Sequence, residues 1–441
     1  MGPGAVTANA AGVDQRHSLW RATAPLAPAT TTLEGRVDAD VVVVGAGYTG
    51  LSCALALSEA GRSVMLLEAG DIGHGASGRN GGQVIPGLKH DPDELVARFG
   101  RERGESLVRL VGGAPDRVFA LIAKYGIDCA AKQCGWIQPA HSVAATHAIT
   151  SRAQQWTARG APVELLTRDC LRALLGTDNY TAGWLDRRAG ALHPLAYARG
   201  LAGAAMRLGT RVHTASPVTR IARVNDGWTA TTPRGEVRAQ QVVLATDAYS
   251  SALWPELPTN QVVATSVQIA TDPLPDIDRR TILPGGTVAS DTRKLLYYFR
   301  LDAEGRFIIG GRGSAAEYVP EGIYAMLRRV ATRMYPPLAD VRWPYRWYGR
   351  VGITRDWLPH LAELAPGVWT ALGYCGRGVA MATTMGQMLA DILNGGDPPA
   401  YPVTALKPIP LYPLQQPLLR AAIAYYRVRD AMSQTYPGRR P

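Results

Sequence analysis

A four-valine run closed by three spaced glycines, Asp40-Val-Val-Val-Val44-Gly45-Ala46-Gly47-Tyr48-Thr49-Gly50, limits what this chain can fold into more than any other feature. A stretch so short, apolar and β-branched reads as a parallel strand buried on both faces. The glycines that follow have separate tasks: a tight turn, close approach of the backbone to a pyrophosphate, and close packing of helix on strand. Residues 51–60, rich in Ala and Leu, continue as a helix whose N-terminus receives the phosphates. Ser63-Val-Met-Leu-Leu-Glu68 is a second strand. Its terminal carboxylate, next to Ala69, comes about 20 residues after the glycines, where it can accept both ribose hydroxyls and repel a 2′-phosphate.

A second glycine-rich loop follows at once, Gly75-Ala76-Ser77-Gly-Arg79-Asn80-Gly81-Gly82-Gln83. It offers backbone N–H groups and small side chains to a larger, flatter ligand than a nicotinamide dinucleotide, so the expected cofactor is FAD. Farther on, Val368-Trp-Thr-Ala-Leu-Gly373 reads as a strand and Tyr374-Cys-Gly376-Arg377-Gly378 as a turn. A helix then begins at Val379-Ala380 and runs to 393. Its first N–H groups carry about half a positive charge, which suits the negative charge gathering at flavin N1 and C2=O on reduction.

With 441 residues, 46% of them apolar, the chain can build two joined domains with sizeable cores. The expected class is α/β: a Rossmann-like dinucleotide domain and a second domain with a mixed, largely antiparallel sheet. Residues 93–125, 144–160 and 195–208 read as helical, and 211–224, 227–231 and 236–239 as short strands. Residues 241–249 read as a buried strand returning to the first sheet, and 261–341 as mainly strand with one helix at 321–334.

The net charge of +11 is carried almost wholly by arginine, since only Lys89, Lys124, Lys132, Lys294 and Lys407 are lysines. That suits anionic ligands. The basic residues form scattered pairs and no stripe, so no nucleic-acid partner is expected. The five cysteines, Cys53, Cys129, Cys134, Cys170 and Cys375, are an odd number spread over a long chain and predict no disulfide framework. No zinc-type spacing occurs, and no metal is expected. No run reaches the roughly 20 apolar residues of a membrane span, and the N-terminus lacks signal-peptide features. Residues 1–35 are therefore expected to be a partly disordered leader, and the protein to be cytoplasmic. Within 401–441, Leu418, Leu419, Ile423, Tyr425, Tyr426 and Val428 stand beside Arg420, Arg427 and Arg429. Such a tail either folds back on its own domain or makes a weak contact with an acidic membrane surface.

Five motifs occur in order: 42–50, 75–83, Ala245-Thr246-Asp-Ala-Tyr249, Gly349-Arg-Val-Gly-Ile-Thr-Arg-Asp356 and 373–380. Through them the chain resembles the D-amino-acid oxidase superfamily of FAD enzymes, and within it the branch of γ-glutamylputrescine oxidases and related amine and imino-acid oxidases. The resemblance implies an FAD domain assembled from 36–92, 187–255 and 344–400, a substrate domain from 93–186 and 256–343, and non-covalent FAD. Gly45, Gly47 and Gly50 would face the pyrophosphate, Glu68 the ribose, Val218 the adenine, and Asn80 to Gln83 the isoalloxazine. Gly376, Arg377 and Gly378 would line the pyrimidine edge, with Gly373, Ala245, Thr246 and Gly349 in the surrounding motifs.

It also implies a reaction: oxidation of a C–H next to nitrogen by hydride transfer to flavin N5, then hydrolysis of the imine. The electrons pass to O2, giving H2O2, or to a quinone or other carrier. An amine or γ-glutamyl-polyamine substrate is favoured, because Val351 stands where glycine oxidases place a carboxylate-binding arginine. Oxidation of L-pipecolate or another amino acid and quinone-linked amine dehydrogenation are the alternatives. Gln83, Tyr298, Arg300, Trp347 and Tyr348 are the expected substrate-side residues. The aromatic concentration at 343–348 suits an aliphatic or cationic ligand, and Arg300 is a substitute clamp for a more distant carboxylate. An NADPH-dependent flavin monooxygenase needs a second nucleotide site. Its one candidate, Gly311-Arg-Gly313-Ser-Ala-Ala316, runs into Glu317-Tyr-Val-Pro320 and no apolar helix, so that class is rejected. A flavin-binding protein without catalysis is the remaining alternative.

Overall fold

The computed structural model describes residues 17–250, 253–313, 319–397 and 399–432. Ten elements carry the site: β1 (Gly35–Val44), α1 (Tyr48–Glu59), β2 (Val64–Leu67), β3 (Gly235–Leu244), β4 (Gln261–Pro273), β5 (Tyr297–Leu301), β6 (Arg306–Arg312), β7 (Tyr345–Thr354), β8 (Val368–Leu372) and α2 (Gly378–Leu393).

The first sheet runs β8, β3, β1, β2 and Arg211–His213, all parallel, with His360–Ala365 antiparallel on one edge and an antiparallel ribbon of 220–231 attached to β3. The valine run is continuous because both faces of β1 are covered: Val41 and Val43 belong to one core, Val42 and Val44 to another. A Cβ on Gly50 would strike the Gly45 carbonyl oxygen, so the third glycine lets α1 lie against β1. At Gly386 the missing side chain admits Ser52 and the Thr49 carbonyl, which brings α2 onto α1. The start of α1 is then joined to the turn before α2 by the Thr49 and Tyr374 hydroxyls, 2.6 Å apart.

The second sheet runs β7, β4, β6, β5, Val288–Ser290, Trp136–Pro139, Gly183–Asp186 and Val163–Leu166, antiparallel except where 288–290 pairs with 136–139. Alternation along its strands sends Val267, Ile269, Phe299, Phe307 and Ile309 into a core shared with the helix Glu321–Met334. The opposite face carries Gln268, Tyr298, Arg300, Gly310, Arg312, Trp347 and Gly349.

Several expectations are corrected. β7 pairs along its length with β4, so 345–354 belong to the second sheet and the chain returns to the dinucleotide domain after Thr354, not at 344. The stretch 93–125 is three helices broken at Gly100 and Gly113; the third packs on α2, and all three bury residues in a core that also takes in Trp136, Ile149, Trp156 and Trp184. The strand expected at 211–224 is two, separated by Ala215 at φ +49° and Pro217, whereas 236–239 and 241–244 form the single strand β3. Residues 1–16 of the expected leader lie outside the described residues. From His17 on the segment is ordered, and the helix Leu19–Thr23 buries Leu19 and Trp20. The helix Gln415–Met432 folds back: Ile423 is buried and the Asp430 carboxylate accepts the backbone N–H of Leu295 at 3.0 Å, while Leu418, Tyr425 and Val428 are exposed. Among the described residues, no helix is long and apolar enough to cross a membrane, and the five cysteines are free thiols.

Candidate active site

The first glycine turn is held from both sides. Gly45 has φ +109°, and a Cβ there would lie 2.8 Å from the Ala245 carbonyl oxygen at the end of β3. Glu68, at the end of β2, accepts the backbone N–H of Ala46 at 2.7 Å and of Gly70 at 2.8 Å. Burial raises its pKa, and these N–H bonds oppose the rise. A carboxylate has room for about four donors, so capacity remains for ribose hydroxyls. Ser216 donates its N–H to the Glu68 carbonyl at 2.8 Å, which brings Val218 to the same end of the cradle. The second loop closes over α1 through Ser77, whose hydroxyl oxygen accepts the Tyr48 N–H at 2.9 Å.

The turn before α2 is equally fixed. Gly373 donates its N–H to the half-buried Asp247 carboxylate at 2.7 Å, and Cys375 donates its own to the Gly352 carbonyl at 3.1 Å. The Arg377 guanidinium lies 5.0 Å from the centre of the Trp136 ring, and burial pulls its pKa down to about 10. Its Nε is buried without a hydrogen-bond partner among the described residues, and Gly376 opens onto space with nothing within 4 Å of where its Cβ would be. A glycine cradle, an acid with acceptor capacity, a buried guanidinium nitrogen lacking an acceptor, and two joined helix N-termini fit a flavin dinucleotide.

The loop 79–83 is gripped by the second sheet. The Arg79 carbonyl accepts from Gln268 Nε2 at 2.6 Å and Trp347 Nε1 at 3.1 Å; the Asn80 carbonyl accepts from Trp20 Nε1 at 2.8 Å. The Gly81 carbonyl accepts from Arg300 Nε and the Leu192 carbonyl from Arg300 Nη2, both at 2.8 Å. Gln83 Nε2 donates to the Ala289 carbonyl at 3.0 Å.

Three expected substrate-side residues are thereby reassigned. Arg300, 4% exposed, is engaged by backbone carbonyls and is not a free clamp. Trp347, 1% exposed, packs with Trp20, Leu195 and Ile308 behind the loop. Tyr348, its neighbour in the strand, points to the other side and packs on the second core. Tyr298 does lie on the face toward the loop: its ring covers Gly310, a Cβ on Gly81 would lie 2.7 Å from it, and its hydroxyl bonds the Ser266 hydroxyl at 2.7 Å. The structure adds Trp20, which holds the loop, and Asp247, which holds the turn before α2. Arg312, opposite Ser266, shares Tyr298's sheet face and did not stand out from its sequence surroundings.

A dinucleotide cradle and two helix N-termini meeting at the face of an antiparallel sheet define a two-domain flavoprotein. The family profile described as FAD dependent oxidoreductase (DAO) matches residues 40–392, and the chain belongs to that family, with FAD as its cofactor. A shorter profile, pyridine nucleotide-disulphide oxidoreductase, matches 3–76, which includes the first glycine motif. The chain is 32% identical over 409 residues to gamma-glutamylputrescine oxidoreductase of Escherichia coli K12, covering 91% of this chain and 95% of that one. It is 31% identical over 420 residues to the probable oxidoreductase OrdL of Rhizobium meliloti, covering 94% and 97%. Glycine oxidase from Geobacillus kaustophilus superposes with a TM-score of 0.69 at 21% identity, covering 84% of this chain and 97% of that one, and so shares the fold.

Proposed function

We propose that this protein oxidises a C–N bond of an amine of the γ-glutamylated type, with O2 as the electron acceptor. The observation carrying the reading is the position of Tyr298, between the loop 79–82 and β6, in a chain about one-third identical to a gamma-glutamylputrescine oxidoreductase over nearly its whole length. Bound FAD supplies the hydride acceptor. The Ala46, Gly47 and Tyr48 backbone would hold the pyrophosphate, Glu68 the ribose, and Arg377 with the first turn of α2 the pyrimidine edge. Burial pushes the Tyr298 phenol well above its ordinary pKa, so it stays protonated and acts as a hydrogen-bond donor and wall, not as a base. The arriving amine must be neutral to release hydride. Lys89, Arg312 and Arg377 disfavour a further positive charge, so the site itself drives the ammonium to give up its proton.

Anaerobic absorbance of the holoprotein tests this, with γ-glutamylputrescine, putrescine, L-pipecolate and D-amino acids added in turn and air admitted afterwards. Bleaching of the flavin band by the γ-glutamylated amine and rapid return in air is expected. Slow return would replace O2 by a quinone or carrier. Reduction by NADPH with no bleaching by any amine would overturn the proposal.

A further inference from the structure

The helix Gln415–Met432 has two faces in opposite surroundings. One lies on its own domain: Ile423 and Asp430 are buried, and Gln416, Leu419 and Tyr426 are half-buried. The Asp430 carboxylate accepts the Lys294 and Leu295 N–H groups at 3.4 and 3.0 Å, just before β5. The other face, about 200° around the helix, carries Leu418, Tyr425, Val428 and Met432, which are 56, 60, 60 and 83% exposed, with the exposed Ala421 among them. Leu414, 51% exposed in the turn leading into the helix, extends the row. From 414 to 432 the steps are four, three, four, three and four residues. That is the 3.5-residue repeat of a seam that one other helix fills. A helix lying on a membrane instead sets a charged face opposite a broad apolar one. Here the opposite face is taken by the protein, and the exposed Arg420, Arg427 and Arg429 stand beside the seam.

The row is complementary to itself when reversed. A two-fold axis at position 423 sets Leu414, Leu418 and Ala421 opposite Met432, Val428 and Tyr425 of a second copy, and the same pairs recur in the other half. The smallest side chain of the row thus meets the largest. The same axis sets Arg420 opposite Tyr426, Arg427 opposite Leu419 and Arg429 opposite Pro417, so no arginine faces another, whereas parallel pairing in register would stack each on its own copy. The five large side chains present about 600 Å² per copy, the lower end of the roughly 600–1,000 Å² that each partner buries in a stable complex. Residues 1–16 and 433–441 hold only Met1, Val6, Val13 and Tyr436 as large apolar residues, too few to fill the seam from within the chain.

We propose that this face is an interface with a second copy of the chain, the two C-terminal helices pairing antiparallel as the middle layer of a two-fold dimer. Pairing does not depend on which amine is oxidised. Because Asp430 holds the segment before β5, the paired helices would brace the strand that carries Tyr298.

The test is the mass of the FAD-loaded full-length protein by sedimentation velocity over a concentration series, for wild type, L418E, V428K and an equimolar mixture of the two variants. Both positions are exposed, so neither change disturbs the fold, which far-UV circular dichroism and FAD content check. Wild type is expected at twice the chain mass of 47.2 kDa. L418E and V428K should each raise the dimer dissociation constant tenfold or more, since a charge then enters the seam without a partner. The mixture should recover the dimer, because the introduced carboxylate and ammonium then stand opposite each other. A monomeric wild type would overturn the proposal, and so would a dimer that both variants leave unchanged; a mixture that stays monomeric would overturn the antiparallel order. In parallel, wild type and L418E are sedimented with vesicles of equal parts phosphatidylcholine and phosphatidylserine. Monomeric wild type that binds them, with binding lost in L418E, would overturn the dimer and assign the face to a membrane.

Discussion

Replacing Arg300 by Met keeps an unbranched apolar stem and removes the guanidinium, which separates a residue that holds the flavin loop from one that holds substrate. In the structure Arg300 donates to the Gly81 and Leu192 carbonyls at 2.8 Å each, and its guanidinium carbon lies 5.1 Å from the centre of the Trp20 ring. A hydrogen bond from a charged donor contributes about 1.5–3 kcal/mol and a desolvated cation–π contact about 1–2 kcal/mol. Together they amount to about 4–8 kcal/mol. Against this, burial lowers the Arg300 pKa to about 10, so removing the charge returns about 3 kcal/mol. The net loss is about 1–5 kcal/mol, and it falls on the loop 79–83. Urea unfolding of the FAD-free protein should show that loss, and fluorescence titration should show FAD bound at least tenfold more weakly, about 1.4 kcal/mol. In FAD-saturated enzyme the KM for γ-glutamylputrescine should change less than about threefold, below the tenfold step that 1.4 kcal/mol represents. Normal stability and FAD affinity with a KM raised tenfold would refute the reasoning and return Arg300 to the substrate.

Two further outcomes follow from the same geometry. Trp20→Ala removes an indole that is 1% exposed and bonds the Asn80 carbonyl; a loss of about 3–5 kcal/mol is expected, together with faster FAD release by stopped-flow fluorescence. An unaltered release rate would mean that the N-terminal helix does not support the loop. For pH, an unfolded lysine titrates near 10.4 and Lys89 in the fold at about 7, so between those values the unfolded chain binds more protons. Lys89's contribution is present above the unfolded pKa and is lost as pH falls through 7, with a slope bounded at about 1.4 kcal/mol per pH unit and reduced because the residue is only half-buried. Comparing urea midpoints of FAD-free wild type and K89M from about pH 6 to about pH 10, the variant's advantage should grow toward low pH, and a constant gap would contradict the placement.

The cofactor cradle was legible because its signals are local. A strand buried on both faces must be apolar throughout, as at Val41–Val44, and phosphates are received by backbone N–H groups, so the constraint falls on glycines at fixed spacing. The substrate side offers no such shortcut. Trp347 and Tyr348 are adjacent, yet they face opposite sides of β7, and only pairing with β4, where Trp347 stands opposite Gln268 and Tyr348 opposite Val267, decides which side meets the flavin loop. The same long-range pairing placed β7 in the second sheet. Trp20 was read as leader because a five-residue helix has no periodicity to detect, and its partner Asn80 lies far along the chain. Arg312 is an ordinary basic residue until β6 pairs with β4 and sets it on the same face as Tyr298. The asymmetry has a functional consequence. On the proposed reading, a change at 298 or 312 alters the sheet face without touching the backbone N–H groups of the first glycine turn, whereas a change at 300 or 347 also loosens loop 79–83, whose carbonyls those side chains hold. Substrate selectivity and cofactor affinity are then expected to be separable at the first pair of positions and coupled at the second.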